Sequence, residues 1–258
     1  MLRRLLAHPL TKNLALDDPR TTELRRVILQ SKPFLCKIYA EWYQMLAGSL
    51  PADGGPVLEL GSGAGFLERY VPRLVKSDVF PCCGANLVLD GQRLPFADGS
   101  LSAIVMSDVL HHLPSVRSFL RDAARCVREG GVVSMIEPWV SPWSGWVFSH
   151  FHHEGIAPQA ETWEFPTAGP LSSANLALPW IVFNRDRNVF EREFPQWHVE
   201  TVRPFMPFRY FLSGGISTRN LLPGWSYGLW KTFEEFFSLR MPRWAMFAHI
   251  VLRLQYTD

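Results

Sequence analysis

Three groups of residues have types and spacings that could do chemistry. The first is Val57-Leu58-Glu59-Leu60-Gly61-Ser62-Gly63-Ala64-Gly65. A short apolar run with an acid near its end reads as a buried strand. Glycines alternating with small residues then let the backbone turn sharply and let a ligand lie against bare main chain. A helix after such a turn would aim its free N–H groups at that ligand. The second feature is Asp78, near the end of the strand-like run Val75–Val79. Its distance from the glycine loop fits recognition of ribose hydroxyls. The third is His111 and His112, after the run Leu101–Ser107, together with Glu137, after Val132–Ile136. All three fall at the carboxyl edge of expected strands, where α/β sheets bind ligands.

The glycine spacing decides which nucleotide. A dinucleotide fingerprint needs Gly-x-Gly-x-x-Gly, but Phe66 occupies the sixth position. A P-loop needs Gly-Lys-Ser/Thr after the loop, and none follows. What remains is acid-x-Gly-x-Gly-x-Gly after a strand.

A second segment makes the pattern specific. Asp90-Gly91-Gln92-Arg93-Leu94-Pro95-Phe96 is followed by an apolar run and then Leu110-His111-His112-Leu113. In this order the motifs over residues 55–138 resemble the type 11 subset of class I S-adenosylmethionine (SAM) methyltransferases. The resemblance implies a Rossmann-like α/β fold, a mostly parallel sheet with helices on both faces, and SAM as cofactor. It implies that Glu59 supports the glycine loop and the methionine amino end. Gly61, Ser62, Gly63 and Gly65 would hug the cofactor, and Asp78 would accept from the ribose. Asp90, with Gly91 beside it, would accept from the adenine, while Ser107 and Asp108 would lie under the methionine portion.

Methyl transfer to a bound acceptor mainly needs alignment. A base is needed only if the acceptor is protonated, as a hydroxyl is. His111 and Glu137 are the catalytic candidates; His112, Trp146, His152 and His153 are candidates for acceptor binding. The plainer readings are a ring packed in the core, a ring capping a turn, or a Glu137–arginine pair. His150, His152, His153 and Glu154 include metal-ligand types, but the histidine spacings give no paired i, i+4 site and no second ligand group is evident in the sequence. No metal is expected.

These residues need elements to position them. Thr21 or Thr22 can cap a helix toward Ser31, and Phe34–Ala47 carries helical apolar spacing. Phe66–Leu74 allows a short helix, and Asn86–Asp90 reads as a third strand close behind the second. Ser115–Arg128 is the clearest helix, capped by Ser115 and stopped by Gly130-Gly131. Trp197–Arg203 and Trp244–Leu254 read as later strands. Only Val79–Ala85 separates strands two and three, too little for a crossover helix. The expected organisation is a helical N-terminal cover over 1–50 and a SAM-binding domain over 51–258. Aromatic cap insertions fall at about 138–196 and 204–243. In the second insertion Trp225, Leu229, Phe233 and Phe236 share a helical face. Core packing is expected for them, and the alternative is a lid or a face resting on membrane.

Composition bounds the rest. A net charge of +2 argues against broad nucleic-acid binding. Cys36, Cys82, Cys83 and Cys126 form no C-x-x-C pair, so free thiols and a cytoplasmic setting are expected. Peripheral membrane contact, aided by Arg3 and Arg4, remains open. The reading is a SAM-dependent methyltransferase acting on a small or lipid-linked metabolite. The alternatives are a SAM-binding protein without catalysis and a membrane-associated binding module.

Overall fold

Period-two alternation along the apolar runs builds the sheet. Leu58, Leu60, Ile104, Met106, Val133 and Met135 pack into one core. Val57, Ala103, Val105, Val132 and Ile136 pack into another. A sheet buried on both faces needs such continuous apolar runs. The computed structural model describes residues 17–18, 20–82, 84–152, 154–166, 169 and 171–255. The readings on Arg3, Arg4, Cys83 and His153 lie outside those residues.

The strands are β1 (Val57–Leu60), β2 (Leu74–Asp78), β3 (Leu87–Val88), β4 (Leu101–Ser107), β5 (Val127–Pro138), β6 (Trp197–Phe205) and β7 (Phe247–Leu254). They form one seven-stranded sheet in the order β3-β2-β1-β4-β5-β7-β6. The first five pair in parallel, and β7 runs antiparallel to both β5 and β6. This is a Rossmann-like α/β sheet. The strand order reverses between β1 and β4, and their carboxyl ends open the crevice where such folds bind ligands.

Helices α1 (Arg20–Ser31) and α2 (Pro33–Gly48) precede the sheet. Pro33 opens α2 at its first turn, where a missing N–H costs nothing. The stripe Phe34, Leu35, Ile38, Trp42 and Leu46 is wholly buried against one face of the sheet, with Val105, Ile136 and Phe247. On the other face α3 (Val116–Cys126) buries Phe119, Leu120 and Ala123. Ser115 caps it by accepting from the Ser118 N–H.

The expected stop at Gly130-Gly131 is corrected. The helix ends at Cys126 because Val127 turns extended, and the glycines lie inside β5. They form an irregularity where the β4–β5 register shifts. A Cβ on Gly131 would come within 2.7 Å of the Ser102 carbonyl, so only glycine fits. The helix expected over Phe66–Leu74 is one short turn, Leu67–Arg69. The third strand shrinks to the pairs Ser77↔Leu87 and Asp78↔Val88, because the link after β2 is too short to carry a longer edge.

The first insertion contributes α4 (Pro142–Phe151) and α5 (Arg187–Glu193). The second contributes α6 (Arg209–Ser213) and α7 (Tyr227–Glu235). Core packing of the second insertion's aromatic face is also corrected. Trp225, Leu229 and Phe236 are 76%, 68% and 81% exposed, so this face looks outward. Trp230 and Tyr227 carry the packing instead. Among the described residues, no helix is long and apolar enough to cross a membrane.

Candidate active site

The turn after β1 opens the site. Gly61 sits at φ +64, and a Cβ there would strike Val109 Cγ2 at 2.5 Å. A side chain at Gly65 would meet the Tyr43 hydroxyl at 2.3 Å. The loop is therefore pressed between the β4 turn and α2, and only bare backbone fits. Asp78 ties it down: its Oδ2 accepts from the Gly63 N–H at 3.0 Å and its Oδ1 from the Phe80 N–H at 3.0 Å. The Ser62 hydroxyl is buried in this loop beside the Glu59 carboxyl.

A cleft of about 440 Å³ runs from this loop along the carboxyl edge of the sheet. Glu59, Gly61, Ser62, Gly63, Gly65, Asp78, Asp90, Gly91, Ser107 and Asp108 all line it, although they come from four separate stretches of sequence. Among the described residues, five carboxyl groups (Glu59, Asp78, Asp90, Asp108 and Glu154) face it against one arginine, Arg25. Such a cleft favours a cationic ligand. Burial pushes the Glu59 and Asp108 carboxyls each up to about 7.

Beyond Ser107 the chain turns through a left-handed Asp108, φ 64. That turn lets the Val109 and Leu110 N–H groups both donate to Glu137 Oε1 at 2.8 Å. The other oxygen, Oε2, lies 2.8 Å from His111 Nδ1. His111 and Glu137 are 1% and 0% exposed, so the two catalytic candidates stand behind the cleft wall and do not line it. Burial opposes charge on His111, but the Glu137 hydrogen bond and the Glu154 carboxylate hold its pKa well above the usual range. His112 does line the cleft. Burial, then the His111 charge, pushes its pKa down to about 4.

The acceptor candidates separate. His112 and His152 line the cleft. Trp146 does not; it stacks on Trp143 and is 49% exposed. The structure also adds residues that the sequence reading missed. Thr22 and Arg25 reach the cleft from α1, and Tyr39 and Tyr43 from α2. Tyrosines four apart on an apolar stripe are the one signal that could have found the latter pair. Tyr210, Ile216 and Ser217 close the far end and, with His152, also border an apolar side chamber of about 90 Å³. Phe148, Phe151, Phe211 and Met246 line that chamber.

Comparison with known proteins agrees with this geometry. Residues 58–135 match the family described as Methyltransferase domain. An uncharacterized methyltransferase of Mycobacterium sp. (strain JLS) is 29% identical over 137 residues, 47% of this chain and 54% of that protein. One from Mycobacterium leprae (strain Br4923) is 28% identical over 127 residues, 43% of this chain and 47% of its own length. The chain thus spans about half the length of the curated relatives it matches. A solved structure of geranyl diphosphate C-methyltransferase from Streptomyces coelicolor A3(2) shares the fold with TM-score 0.52 at 15% identity. It covers 96% of this chain and 91% of its own. At that identity only the fold is shared.

Proposed function

We propose that residues 58–135, which match the Methyltransferase domain family, form a class I, SAM-dependent methyltransferase domain, and that the chain moves a methyl group from SAM to a small or lipid-linked acceptor. One observation carries the reading. The residues that such a cofactor needs, from Glu59 to Asp108, line a single acidic cleft at the carboxyl edge of the sheet.

The cleft fits SAM. The loop is kept free of side chains at Gly61 and Gly65. Asp78 would take the ribose, Asp90 and Gly91 the adenine, and Glu59, Ser107 and Asp108 the methionine end. SAM supplies an activated methyl group on a cationic sulfur. The chain's own residues then align an acceptor at the end bordered by His112, His152, Glu154 and Tyr210. The neutral His112 ring borders that end and can hydrogen-bond a hydroxyl acceptor. His111 and Glu137 act as positioning residues, because their pair holds the β4 turn and does not touch the cleft. The apolar side chamber suits a greasy portion of the acceptor.

The exposed Trp225, Leu229 and Phe236 favour a second layer to this reading, in which α7 rests on a membrane surface that holds the acceptor. One experiment tests both. Methyl-labelled SAM is incubated with the protein and a cell extract, with or without anionic lipid vesicles, and the label is followed into aqueous and lipid fractions. Label entering a small-molecule or lipid product supports transfer, and a faster reaction on vesicles supports the membrane layer. SAM binding with no label moved would instead favour a binding protein without catalysis.

A further inference from the structure

The turn that ends β4 has a property that methyl transfer alone does not require. We propose that His111, His112 and Glu154 form a site for a divalent first-row transition ion of the zinc or iron(II) kind, open toward the acceptor end of the cleft.

The argument starts from the ring nitrogens. His111 Nδ1 lies 2.8 Å from Glu137 Oε2, and the other oxygen of that carboxylate already accepts two backbone N–H groups. His112 Nδ1 lies 3.1 Å from the Ser173 carbonyl oxygen, which can only accept. Both rings therefore carry a proton on Nδ1, and both turn Nε2 toward Glu154; His111 gives up its Nε2 proton when it ligates. His111 Nε2 lies 3.3 Å from Glu154 Oε2, and His112 Nε2 lies 3.6 Å from Glu154 Oε1. The ligand atoms of the three residues all lie within 4.8 Å of one another.

The two Nε2–Glu154 spacings also match neighbouring ligands on one ion. Good N–H···O bonds span about 2.7–3.2 Å. Two ligand atoms each about 2.0–2.1 Å from one tetrahedral ion lie roughly 3.3 Å apart. The surroundings fit as well. A ligating histidine commonly donates its other N–H to a carboxylate or a backbone carbonyl, and this site shows one of each. Two imidazoles and one carboxylate with open positions select a transition ion over calcium or magnesium. The sequence conceals the site because the two halves of the donor set lie on different elements.

His112, His152 and Glu154 border the cleft, so the open positions face the acceptor. An ion there would bind an acceptor oxygen, such as a hydroxyl or a carboxylate, and make a hydroxyl more acidic. This use of the ion, though not the site itself, rests on the methyl-transfer reading.

The test uses the full chain, stripped with a chelator and titrated with Co²⁺ and Zn²⁺. Calorimetry gives the stoichiometry, and Co²⁺ absorption reports the coordination. One ion per chain is expected. His112→Ala and Glu154→Gln should each weaken uptake at least tenfold while the melting transition is kept. No stoichiometric uptake by the folded wild-type chain would overturn the proposal. Uptake unchanged in a folded His112→Ala/Glu154→Gln double variant would overturn it equally. S-adenosylhomocysteine affinity is read on the same wild-type sample. Ion uptake without that affinity would sink the methyl-transfer reading and leave the metal site standing.

Discussion

Asp78 does two things at the mouth of the cleft. It holds the glycine loop through the Gly63 N–H, and its remaining lone pairs face the space where a ribose would lie. Asp78→Ala removes a charged acceptor, worth on the order of 1–3 kcal/mol. The dissociation constant for S-adenosylhomocysteine should therefore rise about tenfold to a hundredfold. Calorimetry on the folded variant checks this, and an unchanged constant would remove Asp78 from the cofactor site. Residues like this are legible in a sequence because the loop and its acid lie close together in the chain and obey local rules. Glu154 was legible only as a metal-ligand type without partners. Its neighbours His111 and His112 sit on another element, and nothing in the spacing joins them.

Among the elements, α2, α6 and α7 are held by one buried cation. Arg209, 3% exposed, donates to Glu234 of α7 and to Glu41 of α2, and the Tyr227 hydroxyl also donates to Glu41. Burial alone would raise the Glu41 pKa, but Arg209 and then Tyr227 pull it down from 4.5 to about 2. A depressed carboxyl stabilises the fold above its unfolded value, and that contribution is lost as pH falls from 4.5 toward 2. Glu41→Gln should cost about 2 kcal/mol at neutral pH, allowing for partial solvent screening. That corresponds to a melting temperature roughly 4–8 °C lower. Scans of both proteins across pH should show the gap close near the acid end. A gap of constant size from neutral to acid pH would refute the ionic account. The helices and strands themselves were largely readable from apolar period and caps, as α3 and β4 show. Gly130-Gly131 misled because a glycine pair can end a helix or let two strands shift register. Only the contacts around Gly131 decide between these.

At the scale of the whole molecule, segments 138–196 and 204–243 lie around the sheet, and Phe148, Phe151, Tyr210 and Phe211 border the chamber beside the cleft. The α7 face was misjudged because periodicity identifies a stripe but not what the stripe meets. Here Trp225, Leu229 and Phe236 meet solvent. The sheet, its order and the acidic cleft all converge on one claim, that the carboxyl edge between β1 and β4 binds SAM. Calorimetric titration of the purified chain with S-adenosylhomocysteine tests it most directly. The account predicts one site per chain with a micromolar dissociation constant, accompanied by a rise in melting temperature. Neither heat nor a thermal shift at millimolar ligand, in a protein that melts cooperatively, would contradict it.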